Sequence, residues 1–306
     1  MRILVVGAGA IGGYFGARLL QAGRDVTFLV RARRAAQLAE HGLRVKSQQG
    51  DLHIAKPPIV LSEQIREPYD VVLLSCKAYD LDSAMDAIAP AMGPDTVIVP
   101  MLNGMRHLDQ LDARFGAARV MGGRCMISST LDEQGTILHL SAFHVLSFGE
   151  RPAGNTPRAQ ALAEAFGNAG FDVQRSDAML HDMWEKWFFL ATLAASTCLM
   201  RATVGDILAA PRGRETIDAL LQECASIAVA NGYPVRDPAL QQARNTLFAD
   251  GSPLMASMLR DVERGAAIES DQIVGDLIAR RGSVAAPTLT LALTNLKAYE
   301  ARRARG

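Results

Sequence analysis

The chain of 306 residues is long enough to form two domains, each with a core of its own. Its 32 basic and 32 acidic residues cancel, so no net field recruits nucleic acid or an anionic membrane surface. The longest apolar stretch, residues 187–200, is too short to cross a bilayer and contains three hydroxyl side chains. We therefore expect a protein that binds neither nucleic acid nor membranes.

The first sixteen residues predict a turn that binds a dinucleotide. An apolar strand at Ile3–Val6 leads into Gly7-x-Gly9-x-x-Gly12, and a helical pattern follows over residues 11–22. The first glycine allows a tight turn, the second lets the backbone approach a pyrophosphate, and the third lets helix and strand pack closely. The alternative is a glycine-rich loop of an unrelated α/β protein. We expect the cofactor contacts in this region to be Gly7, Gly9, Ala10, Ile11 and Gly12.

The second predicted strand indicates which dinucleotide is bound. It covers Asp25–Val30 and ends in Arg31-Ala-Arg33-Arg34, with no carboxylate where a ribose 2′-hydroxyl would be held. Guanidinium groups suit a 2′-phosphate, and each charge-assisted bond contributes about 1.5–3 kcal/mol. Alternatively, Arg33 and Arg34 belong to the solvated start of a helix. We predict NADP(H), with Arg31 as the phosphate contact.

Two kinds of domain follow each other along the chain. Strand and helix patterns alternate up to about residue 175, and helical patterns alone follow. We therefore predict a dinucleotide-binding α/β domain over residues 1–175 and a helical domain over residues 176–306 that carries substrate and catalytic residues. The predicted strands after residue 31 are 43–47, 52–54, 70–75, 96–99, 120–130, 136–140, 144–148 and 171–174, and the predicted helices are 32–40, 80–89, 156–168, 177–200, 213–231, 239–249, 255–264 and 269–281.

Lys186 lies within an almost wholly apolar segment, residues 183–190, in the predicted helix 177–200. A lysine there is costly to bury unless it faces a cleft or a partner, and partial desolvation makes it a better proton donor near neutral pH. The alternative is a lysine that extends to the surface and pairs with Glu185 or Asp182.

Two polar residues follow strands whose carboxyl ends share one edge of the predicted sheet. Asn103 comes just after the strand 96–99, and Lys77 comes just after the strand 70–75. Ligands of open α/β sheets bind at that edge. Taken alone, Asn103 is typical of a turn and Lys77 of a solvated loop.

Nearly the whole chain resembles the ketopantoate reductase family. The resemblance rests on the N-terminal Gly-Ala-Gly-Ala-Ile-Gly, on Cys-Lys77-Ala-Tyr and on Leu-Asn103-Gly-Met. In the second half it rests on Trp184-Glu-Lys186, on the segment 256–261, and on Glu269 twelve residues after Ser257. It implies an α/β Rossmann-type N-terminal domain and an all-α C-terminal domain like that of 6-phosphogluconate dehydrogenase.

The resemblance further implies that NADPH reduces a 2-oxo acid, most simply 2-dehydropantoate in pantothenate biosynthesis. It makes Lys186 the general acid and Glu269 the carboxylate near that lysine and the cofactor. Asn103 would contact substrate and cofactor, Ser257 the substrate carboxylate, and Lys77 both ligands. Hydrogen-bond donors and a cation would then surround the oxygen that becomes negative in the transition state.

One departure from the family concerns the substrate pocket. Family members commonly carry asparagines four and eight residues after the catalytic lysine, where this chain has Leu190 and Ala194. Thr197 is the hydroxyl on the same helix face, and we predict that it contacts substrate unless it bonds to its own helix backbone. An unpaired buried hydroxyl costs about 1–3 kcal/mol, so the pocket favours a less polar 2-oxo acid than 2-dehydropantoate.

Other functions are compatible with the same residues. A reductase of another 2-oxo acid or a β-hydroxyacid dehydrogenase shares this layout, and a non-catalytic NADPH sensor is a more remote alternative. A homodimer is compatible with the apolar helical domain. Scattered cysteines and the absence of ligand spacing among the histidines predict reduced thiols, a cytoplasmic location and no metal.

Overall fold

The computed structural model describes residues 1–151 and 154–305, which form two compact units. The first unit contains Met1–Leu102 and His107–Leu180. The second contains the chain from His181 onward together with the short segment Asn103–Arg106. The composition predicts a single boundary at residue 175 and does not indicate that residues 103–106 group with the second half.

The first unit contains two sheets and the helices that cover them. Its helices are α1 (Ala10–Gln21), α2 (Ala32–His41), α3 (Leu81–Ile88), α4 (Arg106–Phe115, whose first residue belongs to the other unit) and α5 (Pro157–Phe166). Its strands are β1 (Arg2–Val6), β2 (Asp25–Leu29), β3 (Leu43–Lys46), β4 (Leu52–Ile54), β5 (Ile59–Val60), β6 (Tyr69–Leu74), β7 (Met92–Pro100), β8 (Gly122–Leu131), β9 (Ile137–Gly149) and β10 (Asp172–Arg175).

The first sheet is the parallel sheet that the apolar runs predict. Its five strands lie in the order β5-β2-β1-β6-β7, and Leu4 of β1 pairs with Thr27 of β2 and Val72 of β6. Four successive residues of β1 and of β6 are buried, which is typical of parallel strands. All carboxyl ends therefore point to one edge, with β1 between β2 and β6.

The second sheet places β9 between β8 on one side and β10 and β3 on the other, with β4 next to β3. A turn at residues 132–135 joins β8 to β9, and Gly135 takes the positive φ of 77° that favours glycine there. The predicted strands 136–140 and 144–148 form one strand, β9. Its pairing with β8 continues past a register shift between Ile127 and Ser129.

Helix α1 contacts both sheets, and its glycines explain how it fits. A Cβ atom on Gly16 would lie 2.5 Å from the Phe28 ring of the first sheet, and one on Gly13 would lie 2.6 Å from Ile137 of the second. Larger side chains at these positions would push the layers apart. The same helix buries Tyr14 and Phe15 completely, so the glycine-rich segment is at once a turn and the centre of the core.

The second unit is helical, as predicted. Helix α6 forms its centre, since residues 191–198 are buried without interruption and Trp187 is among the largest fully buried side chains. Thr192 and Ser196 donate hydrogen bonds to the carbonyl oxygens four residues earlier, which satisfies hydroxyls inside an apolar helix. The helices are α6 (Met179–Met200, beginning just before the division), α7 (Val204–Ala209), α8 (Gly213–Ala230), α9 (Asp237–Leu247), α10 (Ser257–Glu263), α11 (Asp276–Ala279) and α12 (Pro287–Arg303).

Residues 269–281 differ from the regular helix that was predicted. Asp271–Gly275 forms one π-helical turn, which continues directly into α11. Such turns insert a residue into the helical ladder and occur frequently at functional sites. No helix within the described residues is long and apolar enough to cross a membrane.

Candidate functional site

The glycine turn after β1 is shaped by close contacts. Gly7 has a φ of 89°, and its N–H donates to the Leu29 carbonyl oxygen at 2.9 Å. A Cβ on Gly12 would lie 2.1 Å from Ser75 Oγ, which itself donates to the Val6 carbonyl oxygen at 2.7 Å. The turn and the packing of α1 on the sheet therefore need glycine at Gly7 and Gly12 for the reasons given from the sequence.

Gly9 differs from these two glycines because its contacts do not require glycine. No atom lies within 4 Å of the position a Cβ would take, and its φ of −85° is open to any residue. It is the N-cap of α1, which has no side-chain cap and no acidic residue in its first turn. The first backbone N–H groups of a helix have no partner within the helix, so those of Ala10 and Ile11, with the open space at Gly9, fit the pyrophosphate of a dinucleotide.

We expect Gly9→Ala to raise the Kd for NADPH by about tenfold or more, because a methyl group would block backbone hydrogen bonds to the pyrophosphate. Its fold should persist, since alanine at an N-cap costs about 1 kcal/mol at most relative to glycine. Gly12→Ala is the comparison, and there the clash with Ser75 should lower the melting temperature as well. Titration with NADPH and thermal unfolding would measure both, and wild-type NADPH affinity in Gly9→Ala would contradict the assignment.

The three arginines after β2 have three different roles. Arg31, the N-cap of α2, donates from Nη2 to Asp80 Oδ1 and to Ser83 Oγ, both at 2.8 Å. Arg33 is exposed. Arg34 donates to the Ala8 and Gly135 carbonyl oxygens, so it links the glycine turn to the β8–β9 hairpin. The alternative of a solvated helix start thus fits Arg33 only.

Lys186 lies in the first half of α6 and is partly exposed. The neighbouring Trp187 donates from Nε1 to the Ile273 carbonyl oxygen of the π turn at 2.9 Å. Glu269 is partly exposed and lies two residues before that turn, where its carbonyl oxygen accepts the Ile273 N–H at 3.0 Å. The elements that carry the predicted acid and the predicted carboxylate are therefore joined through one residue, Ile273.

Asn103 is attached to the same π turn. Gln272, which is buried, donates from Nε2 to the Asn103 carbonyl oxygen at 2.7 Å. Gly104 follows with a φ of 75°, and a Cβ there would lie 2.5 Å from the Gln272 carbonyl oxygen. Gln272 is a positioning residue that the sequence interpretation missed, because its partner is 169 positions away.

The remaining predicted substrate contacts differ in accessibility. Ser257 is exposed at the first residue of α10. Thr197 is fully buried, donates to the Leu193 carbonyl oxygen at 2.7 Å and accepts the Ala256 N–H at 3.4 Å. Its hydroxyl thus makes the backbone bond that was the alternative, and we leave it out of the proposed substrate contacts. Leu190 is partly exposed, whereas Ala194 is fully buried.

The two carboxylates considered as partners of Lys186 both bind Arg236. Its Nε donates to Glu185 Oε1 at 2.7 Å, its backbone N–H donates to the same oxygen at 3.0 Å, and its Nη2 contacts Asp182. Burial alone would raise the pKa of Glu185, but the hydrogen bonds from Arg236 outweigh it and lower that pKa. This cluster fixes the turn of α6 that immediately precedes Lys186.

Lys77 lies in the first unit, directly before the short 3₁₀ turn Ala78–Asp80 that follows β6. Its position at the carboxyl edge of the first sheet is the one expected from the sequence. Among the described residues, no three His, Cys, Asp or Glu side chains are grouped as metal ligands.

A glycine turn between a parallel strand and a helix, at the carboxyl edge of an open sheet, is typical of proteins that bind a dinucleotide. Residues 3–153 match the family model of the ketopantoate reductase PanE/ApbA, and residues 178–300 match the model of its C-terminal part. The chain belongs to the ketopantoate reductase family, whose members are NADP-dependent oxidoreductases acting on CH–OH groups.

Individual relatives cover the whole chain. It is 41% identical over 306 residues to the uncharacterized oxidoreductase YkpB of Bacillus subtilis (strain 168), covering 99% of this chain and 100% of that protein. The structure of 2-dehydropantoate 2-reductase from Methylococcus capsulatus has a TM-score of 0.87 at 28% identity, covering 100% of this chain and 99% of that one. The ternary structure of D-mandelate dehydrogenase with NADH and anilino(oxo)acetate has a TM-score of 0.88 at 21% identity, covering 99% and 100%, which is a likeness of fold.

Proposed function

We propose that this protein reduces the carbonyl group of a 2-oxo acid with NADPH, and that 2-dehydropantoate is among its substrates. The observation that carries the proposal is the pair of hydrogen bonds that joins both the Lys186 helix and the Asn103 segment to the π turn after Glu269. A proton donor, an amide and a carboxylate, far apart in sequence, are thereby held to one short segment. Such a set suits a carbonyl oxygen that gains negative charge.

Each of these residues has a defined task in the proposed reaction. NADPH, held at the glycine turn and by Arg31, supplies the hydride when bound. Lys186 donates a proton to the carbonyl oxygen, so that the 2-oxo acid becomes a 2-hydroxy acid. Glu269 provides a carboxylate near Lys186 and the cofactor, and the Asn103 amide orients the substrate. The Ser257 hydroxyl donates to the substrate carboxylate, and Lys77 contacts both ligands.

A second candidate function is reduction of a 2-oxo acid that carries no hydroxyl group. Leu190, the partly exposed residue one helical turn after Lys186, offers no hydrogen bond, and the Thr197 hydroxyl hydrogen is already donated to the Leu193 carbonyl oxygen. The 4-hydroxyl of 2-dehydropantoate would then lose the partners it has in water, at a cost of about 1–3 kcal/mol. The fold is shared with a D-mandelate dehydrogenase, which fits this candidate.

A matched pair of substrates tests the reaction and separates the two candidates. 2-Dehydropantoate and 3,3-dimethyl-2-oxobutanoate differ only by the hydroxyl group, and NADPH absorbance follows the turnover of both. We expect both to be reduced, with kcat/KM for the deoxy analogue at least equal to that for 2-dehydropantoate. A value more than about tenfold lower would argue for a hydroxyl partner in the pocket. If NADPH binds but no 2-oxo acid is reduced, the reductase proposal fails and the sensor alternative gains support.

A further inference from the structure

The ion pair between Arg31 and Asp80 crosses the edge of the first sheet at the cofactor turn. Arg31 follows β2, and Asp80 follows β6 as the N-cap of α3. Strand β1 lies between those two strands, and the glycine turn follows it. Arg31 is the residue proposed to bind the 2′-phosphate, and the Asp80 carboxylate lies 2.8 Å from its Nη2, so a phosphate bound there would lie near a negative charge.

The hydrogen bonds of Arg31 limit how its guanidinium can bind an oxyanion. Within the described residues, both of its side-chain hydrogen bonds leave from Nη2, which has two hydrogens, and they end on Asp80 and Ser83. Ser83 Oγ in turn donates to the Asp80 carbonyl oxygen at 2.9 Å, so it accepts from Arg31. A bidentate contact with a phosphate uses Nη2 together with either Nε or Nη1. Arg31 can therefore form a bidentate contact only after Asp80 or Ser83 releases a hydrogen of Nη2.

We propose that Asp80 is a specificity-determining residue that limits the preference of this protein for NADPH over NADH. Its carboxylate takes one of the two Nη2 hydrogens that the bidentate contacts need, and its charge repels a 2′-phosphate. Neither effect acts against NADH, whose ribose carries a neutral 2′-hydroxyl. The inference rests on the proposed function only in that a nicotinamide dinucleotide binds at this turn.

The side chain of Arg31 is 71% exposed, and that of Asp80 is 35% exposed. An exposed pair adds little to stability, so replacement of Asp80 is not expected to unfold the protein. Asp80 makes no side-chain cap to α3, so Asp80→Asn costs no capping bond. The asparagine retains an oxygen that can accept from Arg31 but loses the negative charge.

The test is the ratio of the Kd for NADH to the Kd for NADPH, measured by titration in the absence of substrate. Asp80→Asn should raise this ratio about fivefold or more, through tighter NADPH binding, because a like charge next to the phosphate is removed. Asp82→Asn is the matched control, because it removes the same charge two residues further along the chain. The Asp82 carboxylate accepts a hydrogen bond from Gln110. We expect Asp82→Asn to change the ratio less than about twofold.

Three outcomes with the two aspartate variants would overturn the inference. The ratio could stay unchanged in Asp80→Asn, it could change equally in Asp82→Asn, or NADPH could bind more weakly to Asp80→Asn than to the wild type. Arg31→Ala is the second variant, and it should bring the ratio down to about one or below. An unchanged ratio in Arg31→Ala would show that Arg31 does not contact the 2′-phosphate, and it would also overturn the role of Asp80. If the wild type binds neither dinucleotide, the proposed function itself fails.

Discussion

Lys186→Met is expected to lower kcat for 2-oxo acid reduction by about 100-fold or more while the Kd for NADPH stays within about threefold. Methionine matches the length of lysine and suits an apolar helix, so the change removes the proton donor and the cation with little loss of packing. Stopped-flow single-turnover measurements with NADPH and saturating substrate would give the rate, and calorimetric titration would give the Kd for NADPH.

Lys186→Arg separates proton donation from charge. It retains a cation on the same helix, but a guanidinium does not release a proton near neutral pH. We expect it to recover substrate binding, seen in KM, more than kcat. Wild-type kcat in Lys186→Met would remove Lys186 from the mechanism, and wild-type kcat in Lys186→Arg would reduce its role to electrostatic stabilisation.

Arg236→Ala is expected to destabilise the second unit by about 3 kcal/mol, because it leaves Glu185 buried without its cation. The Glu185 side chain is only 8% exposed and takes three hydrogen bonds from Arg236. Arg214→Ala is the matched control, since its partner Asp250 is 83% exposed, and it should cost under about 1 kcal/mol. Urea unfolding of both variants measures the difference, and equal losses would contradict the role of the cluster.

The same pair predicts how stability depends on pH. Arg236 holds the pKa of Glu185 below its ordinary value, so the contribution of the pair is complete above the unfolded-state pKa of about 4.3. It is lost as the pH falls through the lowered pKa of the folded state. The difference between wild type and Arg236→Ala should therefore narrow below about pH 4, because a protonated Glu185 needs no cation. A constant difference from pH 7 to pH 3 would contradict this.

The parallel sheet could be predicted because buried parallel strands leave long apolar runs, such as Ile3–Val6 and the run in β6. Three helices were missed. Helix α4 is strongly polar, α7 has six residues, and α12 contains several threonines among its apolar positions. In α12 the buried residues Leu289, Ala292 and Leu296 do follow helical spacing, which was the signal available.

The candidate site could be predicted where a motif carries its own geometry. The glycine turn is local, so its letters and spacing determine its shape. Contacts between distant segments are different, because no local pattern encodes which residue meets Asn103 or Arg31. Gln272 and Asp80 were missed for that reason. Asp80 could have been suspected, since the ends of parallel strands on either side of β1 converge. The roles of Lys186, Glu269 and Ser257 stay predictions.

Because residues 103–106 belong to the second unit, neither unit is one continuous segment of the chain. The units therefore cannot be exchanged as single segments. A fragment that begins at His181 would lack Asn103 and Gly104, and Gln272 would lose the backbone oxygen it binds. A chimera that takes its C-terminal half from a relative would combine Asn103 of this chain with whatever residue the relative has at position 272. Recombination between family members should therefore succeed only where these two segments are inherited together.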